Sequence, residues 1–77
     1  MKFTKRQGQY LAFIYGYTKI HDRPPAERDM EMHFRVAPPS IHQMVLTLEK
    51  NGLISRVPRQ ARSIQLLVPK EDIPQLD

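Results

Sequence analysis

Two proline pairs, Pro24-Pro25 and Pro38-Pro39, constrain this chain more than any other feature. Proline lacks an amide hydrogen and pushes the residue before it out of the helical region, so neither pair can sit inside a helix or a central strand. Asp22-Arg23-Pro24-Pro25 is therefore an extended turn at which the chain reverses, and whatever lies between the pairs must be short. Glu27 to Phe34 fits there as two turns of helix, with Met30 and Phe34 on its buried side. Glu27 and Asp29 fall in its first turn, where the helix dipole favours carboxylates. Arg35-Val36-Ala37 makes a tight connection, after which a proline at the first helical position is pre-set to open another helix.

Upstream, Thr4 and Gln7 have the spacing of a capping box, in which each side chain satisfies a free amide of the other, so a first helix is expected to begin near Lys5. Tyr10, Phe13, Ile14 and Tyr17 recur at i, i+3, i+4 and i+7 and place a core face on a helix running to about Ile20. Gly16 within it costs about 1 kcal/mol relative to Ala and is expected to mark close packing against a neighbour. The third helix is predicted over Pro39 to Asn51, with Ile41, Met44, Val45 and Leu48 as its buried stripe and Gly52 closing it. The same periodicity turns Ser40, Gln43, Leu46, Thr47 and Lys50 outward, with His42 at the flank. Leu53 to Val57 and Ser63 to Val68 read as the strands of a hairpin around the loop Pro58-Arg59-Gln60-Ala61-Arg62. The proline-punctuated segment 69–77 is expected to be an acidic flexible tail beyond a domain spanning 1–68.

At 77 residues the chain has room for one core, and without cysteine that core must hold by apolar packing, which also agrees with a reducing, cytoplasmic setting. Lys2, Lys5 and Arg6 before the apolar stretch Tyr10 to Tyr17 imitate a secretion signal, but no small-x-small cleavage site follows. The stretch also falls far short of the roughly 20 residues of a membrane span, so no membrane association is expected. The net charge of +4 is unevenly spread: +2 over residues 1–34, +4 over 35–62 and −2 over 63–77. Basic character therefore gathers on the third helix and the hairpin, which suits a polyanion.

Helix, helix, tight turn, helix and basic hairpin is the order of a winged helix-turn-helix, mainly α with a small antiparallel β hairpin, three helices plus a wing. In that arrangement the helix 39–51 enters the major groove of double-stranded DNA. Its outer face offers Ser40, Gln43 and Thr47, which can hydrogen-bond base edges, Gln in particular pairing bidentately with adenine. Lys50 lies farther along the same face. Arg59 and Arg62, in the wing 57–63, can reach phosphates or a narrow minor groove.

The chain resembles the DNA-binding domain of the LexA repressor family over about residues 4 to 67. The matching segments are Thr4-Lys5-Arg6-Gln7, Pro24-Pro25, Pro38, Leu48 with Asn51-Gly52-Leu53-Ile54, and Arg62-Ser63-Ile64-Gln65-Leu66-Leu67. The resemblance implies a winged helix-turn-helix that represses transcription, binding a promoter inverted repeat as a pair of domains, with base contacts that fall on Ser40, His42 and Gln43. Ala37, Pro39, His42 and Gln43 depart from the family's hydroxyl cap, acidic and Asn side chains, which implies a different operator. No counterpart of the family's Ser-Lys peptidase domain is expected here, so neither self-cleavage nor a damage response carries over.

An enzyme is not expected, because no set of titratable groups converges in the pattern a catalytic pocket needs, and no cofactor is implied. Asp29 and His33 share a helix face at i, i+4, but with no third ligand at usable spacing they read as a solvated face rather than a metal site. The rival from another class is a winged-helix protein-interaction adaptor, which would carry an apolar exposed stripe on the third helix; here Leu46 alone breaks a polar face. RNA readers more often expose aromatics on a sheet, whereas all six aromatics lie in or around the first two helices.

Overall fold

The computed structural model describes residues 2–77. Helix α1 runs over Lys5–His21, α2 over Glu27–Phe34 and α3 over Pro38–Lys50; strands β1, Ile54–Ser55, and β2, Gln65–Leu66, pair antiparallel. The capping box forms as its spacing requires: the Gln7 amide donates to Thr4 Oγ1 at 3.1 Å and the Thr4 amide to Gln7 Oε1 at 2.9 Å. Asp22 and Arg35 close α1 and α2 in left-handed conformations, φ 58° and 55°, their amides donating to the carbonyls of Thr18 and Glu31. The chain winds into α3 without a side-chain cap, through Ala37 and the two prolines.

Every element contributes to one core. Tyr10, Leu11 and Ile14 come from α1, Met30 from α2, Ile41, Val45 and Leu48 from α3, and Leu53, Ile54 and Ile64 from the hairpin and its approach. Phe34 lies flat on Tyr10, ring centroids 4.1 Å apart and 12° from parallel, joining α2 to α1. Pro25 is fully buried, so the first proline pair is part of the packing as well as a turn. No helix among the described residues is long and apolar enough to cross a membrane.

The strands are shorter than their sequence suggests, and Ser63 accounts for it. Its single hydroxyl proton is shared between the carbonyls of Gln60 at 2.9 Å and Val57 at 3.1 Å, and its oxygen accepts from the Val57 amide at 2.9 Å. Backbone groups that would extend the ladder are thereby satisfied locally. The register is Ile54 opposite Leu66 and Ser55 opposite Gln65, supplemented by the Leu67 amide on the Leu53 carbonyl at 3.0 Å.

Further expectations are corrected. Leu46 is half-buried rather than exposed, Tyr17 is half-buried rather than core, and Leu11, which the period did not single out, is fully buried. A Cβ at Gly16 would meet nothing within 4 Å, so no close packing exists there. Close approach occurs instead at Gly8, where a Cβ would lie 3.0 Å from Pro74 Cγ and 3.1 Å from Phe3 Cε1. Beyond a 3-10 turn at Lys70–Asp72, the last residues fold back along α1: Gln9 Nε2 donates to the Gln75 carbonyl at 3.0 Å and the Asp77 amide to Gln9 Oε1 at 2.8 Å.

The two helical glycines should therefore respond oppositely to a methyl group. Gly16→Ala should stabilise the domain by roughly 0.5 to 1 kcal/mol through lost chain entropy alone. Gly8→Ala should lose that gain to overpacking, which costs about 1 to 3 kcal/mol, and come out net destabilised. Thermal denaturation of both variants checks this; equal shifts of the same sign would show that Pro74 does not rest on α1.

Candidate nucleic-acid interface

The outward face of α3 follows from its inward one. Ile41, Val45 and Leu48 have no exposed surface, which leaves Ser40, His42, Gln43 and Lys50 in solvent and Thr47 half-exposed on the opposite side. Thr47 Oγ1 donates to the Gln43 carbonyl at 2.9 Å, so its proton is used within the helix and its remaining capacity is that of an acceptor and a methyl group. The Gln43 amide makes no hydrogen bond to protein among the described residues.

His42 is not free. Its Nδ1 lies 3.1 and 3.2 Å from the two carboxylate oxygens of Glu27, at the start of α2. A carboxylate only accepts, so Nδ1 carries the proton, and in the neutral ring Nε2 is the acceptor turned to other partners.

A cleft of about 590 Å3 opens between the wing and the start of α2, bounded by Ala26 and Glu27 with His42 of α3 on the helical side and by Arg56, Arg59, Gln60 and Arg62 on the hairpin side. Three basic groups here are paired: His42 with Glu27 at 3.1 Å, Arg56 with Glu49 at 3.2 Å and Arg62 with Asp29 at 3.1 Å. Among the described residues Arg59 and Lys50 have no acidic partner, and both are exposed. Among the basic side chains of α3 and the wing they are the most available to an anion, because a paired charge must first be released.

Arg62 differs most from its sequence reading. It turns inward, Nη1 donating to Tyr17 Oη at 3.0 Å, Asp29 Oδ2 at 3.1 Å and the Pro24 carbonyl at 3.3 Å. The hydrogen bond to Tyr17, with the carboxylate of Asp29 beside it, favours the charged form of the guanidinium and pushes its pKa above the ordinary value.

The seven residues singled out from the sequence thus fall into two groups, of which only His42, Arg59 and Arg62 line the cleft. Ser40, His42, Gln43, Thr47 and Lys50 stand on α3, and Arg59 and Arg62 on the wing. Sequence reasoning missed Glu27, Asp29, Tyr17 and Arg56. Asp29 carried a weak signal, since an acidic residue three positions beyond Ala26 can reach back to a free amide, and the Ala26 amide does donate to Asp29 Oδ2 at 2.8 Å. His33 lies against Phe13, centroids 4.6 Å apart, and no group of three potential metal ligands occurs among the described residues.

The family model for the LexA DNA binding domain matches residues 1–63. The LexA repressor of Thermosipho melanesiensis is 39% identical over 72 residues, 94% of this chain and 36% of the relative. That of Bacillus subtilis is 37% identical over 75 residues, 96% of this chain and 37% of the relative. The chain spans about a third of the length of these relatives. Three helices closed by a small antiparallel hairpin, with a polar helix face beside a basic wing, are the winged helix-turn-helix such a match requires. The chain therefore belongs to the LexA DNA-binding domain family.

Proposed function

We propose that this chain is a sequence-specific reader of double-stranded DNA that represses transcription by covering a promoter. The observation that carries the reading is the exposed polar face of α3 beside the cleft whose wing holds the unpaired Arg59. A helix presenting short polar and amide side chains fits the major groove, and a basic hairpin next to it fits the flanking backbone.

Ser40, His42 and Gln43, in the first two turns of α3, would read base edges in this reading. Gln43 would pair with adenine, and His42 would accept through Nε2 from an exocyclic amine while Glu27 holds its other nitrogen. Thr47 would offer its methyl group to a thymine, and Lys50 would approach the backbone. Arg59 and Arg62 give the wing its charge, with Arg62 fixed by its inward contacts. Residues 1–68 form the DNA-binding unit in this reading, with 69–77 leaning on α1. Two copies bind an inverted repeat, each half-site raising the effective concentration of the other, and the protein acts in the cytoplasm. The adaptor alternative loses its main support, since half-buried Leu46 does not supply an exposed apolar stripe.

Selection of bound oligonucleotides from a random duplex pool tests the proposal directly. A recovered inverted repeat is the expected result; a pool with no enriched sequence would overturn sequence-specific reading.

A further inference from the structure

The wing has little of its own to hold it. Its ladder is two residue pairs long, and an isolated two-stranded hairpin is marginal in water. Its loop also contains two non-glycine residues in the left-handed region, Arg59 at φ 65° and Arg62 at φ 56°. Such conformations cost on the order of 1 kcal/mol or more each and persist only where the surroundings impose them. Two devices do so here. Ser63 ties the loop to itself, and Arg62 ties it to the helices through Tyr17 in α1, the Pro24 carbonyl in the α1–α2 connection and Asp29 in α2. Asp29 Oδ2 also accepts from the Ala26 amide, so the carboxylate that anchors the wing is itself fixed by the first turn of α2. Because α2 packs on α3, the chain of contacts runs from the wing tip to the helix that faces the groove.

We propose that Tyr17 and Asp29 are positioning residues for DNA binding: through Arg62 they latch the wing at a set distance from α3 and so hold Arg59 where the backbone passes. This rests on the DNA-binding reading above, and its consequence opposes simple electrostatics. Asp29 is a carboxylate near a site for a polyanion, so deleting its charge should tighten binding if charge were its only contribution. A latch requires the reverse, because a released wing must be ordered again each time DNA is bound.

Three variants of the full chain separate these cases: Asp29→Asn, which keeps an acceptor for the Ala26 amide, Tyr17→Phe, which changes no charge, and Glu31→Gln, which removes a carboxylate of α2 outside the latch. The probe is a mixed-sequence duplex. Asp29→Asn and Tyr17→Phe are each expected to weaken binding by about threefold to tenfold, whereas Glu31→Gln leaves it unchanged or tighter. Without DNA, backbone order parameters over 57–63 should fall in the first two variants from near the rigid value of about 0.85 toward 0.6, while those of α3 stay in place. Unchanged wing order in both would overturn the latch. Lowered order with affinity equal to or above that of the parent would overturn its role in DNA binding. If the parent itself failed to bind duplex, the DNA-binding reading would fall, and the relaxation measurement alone would decide the latch.

Discussion

Replacing Leu48 with Ala is expected to cost about 2 to 5 kcal/mol, the usual range for truncating a fully buried leucine where the surroundings collapse only in part. A domain of this size is stabilised by roughly 4 to 12 kcal/mol in total, so the loss is a large share of what holds it folded. Leu48 has no exposed surface, lies in the last two turns of α3 and packs in the one core that all three helices and the hairpin share. Its carbonyl also accepts from the Leu53 amide at 3.0 Å, at the corner where α3 passes into β1. A cavity there loosens α3 and the wing together, so DNA binding, in the reading proposed above, should fall in step with stability. Urea and thermal denaturation measure the cost directly, with a drop in melting temperature of about ten degrees or more. A loss below about 1 kcal/mol would mean that α3 is not anchored by this residue.

The features that could be read from the sequence are those set by neighbours a few residues away. The reciprocal hydrogen bonds of Thr4 and Gln7, the limits of α2 between two proline pairs and the buried stripe through Ile41, Val45 and Leu48 all follow from local spacing, and the structure has each of them. Leu46 and Gly16 failed because a helical period assigns a side but not what lies opposite. Leu46 is half-covered, while nothing approaches Gly16. The short strands failed through one hydroxyl, since no propensity indicates that Ser63 will take the bonds of its own loop.

The same limit explains what was hidden in the site. Ser40, Gln43 and Lys50 lie outward on one helix, so periodicity placed them. Arg62 meets Asp29 across 33 residues and Tyr17 across 45, and His42 meets Glu27 across 15. Those pairings exist only once the helices have packed. A basic residue in a hairpin loop looks like a phosphate ligand from the sequence, whereas its partners in the fold decide whether the charge faces DNA or the protein.

Gln43→Ala and Arg59→Ala should fail in different ways, because contacts to bases carry sequence information whereas contacts to phosphates add affinity that salt screens. Gln43 is exposed on the outer face of α3, with its side-chain amide uncommitted within the described protein. Removing it should cost roughly 1 to 3 kcal/mol on the selected site, up to more than a hundredfold in affinity, and little on scrambled duplex, so the ratio between them shrinks. Arg59 is exposed on the wing, with no acidic partner among the described residues. Its removal should weaken both duplexes alike and lower the slope of log affinity against log salt by about 0.9, the share of one phosphate contact. Titrations of both variants against selected and scrambled duplexes at several salt concentrations distinguish the two. Equal weakening of both duplexes by Gln43→Ala would remove α3 from the groove, and an unchanged salt slope in Arg59→Ala would remove the wing from the backbone.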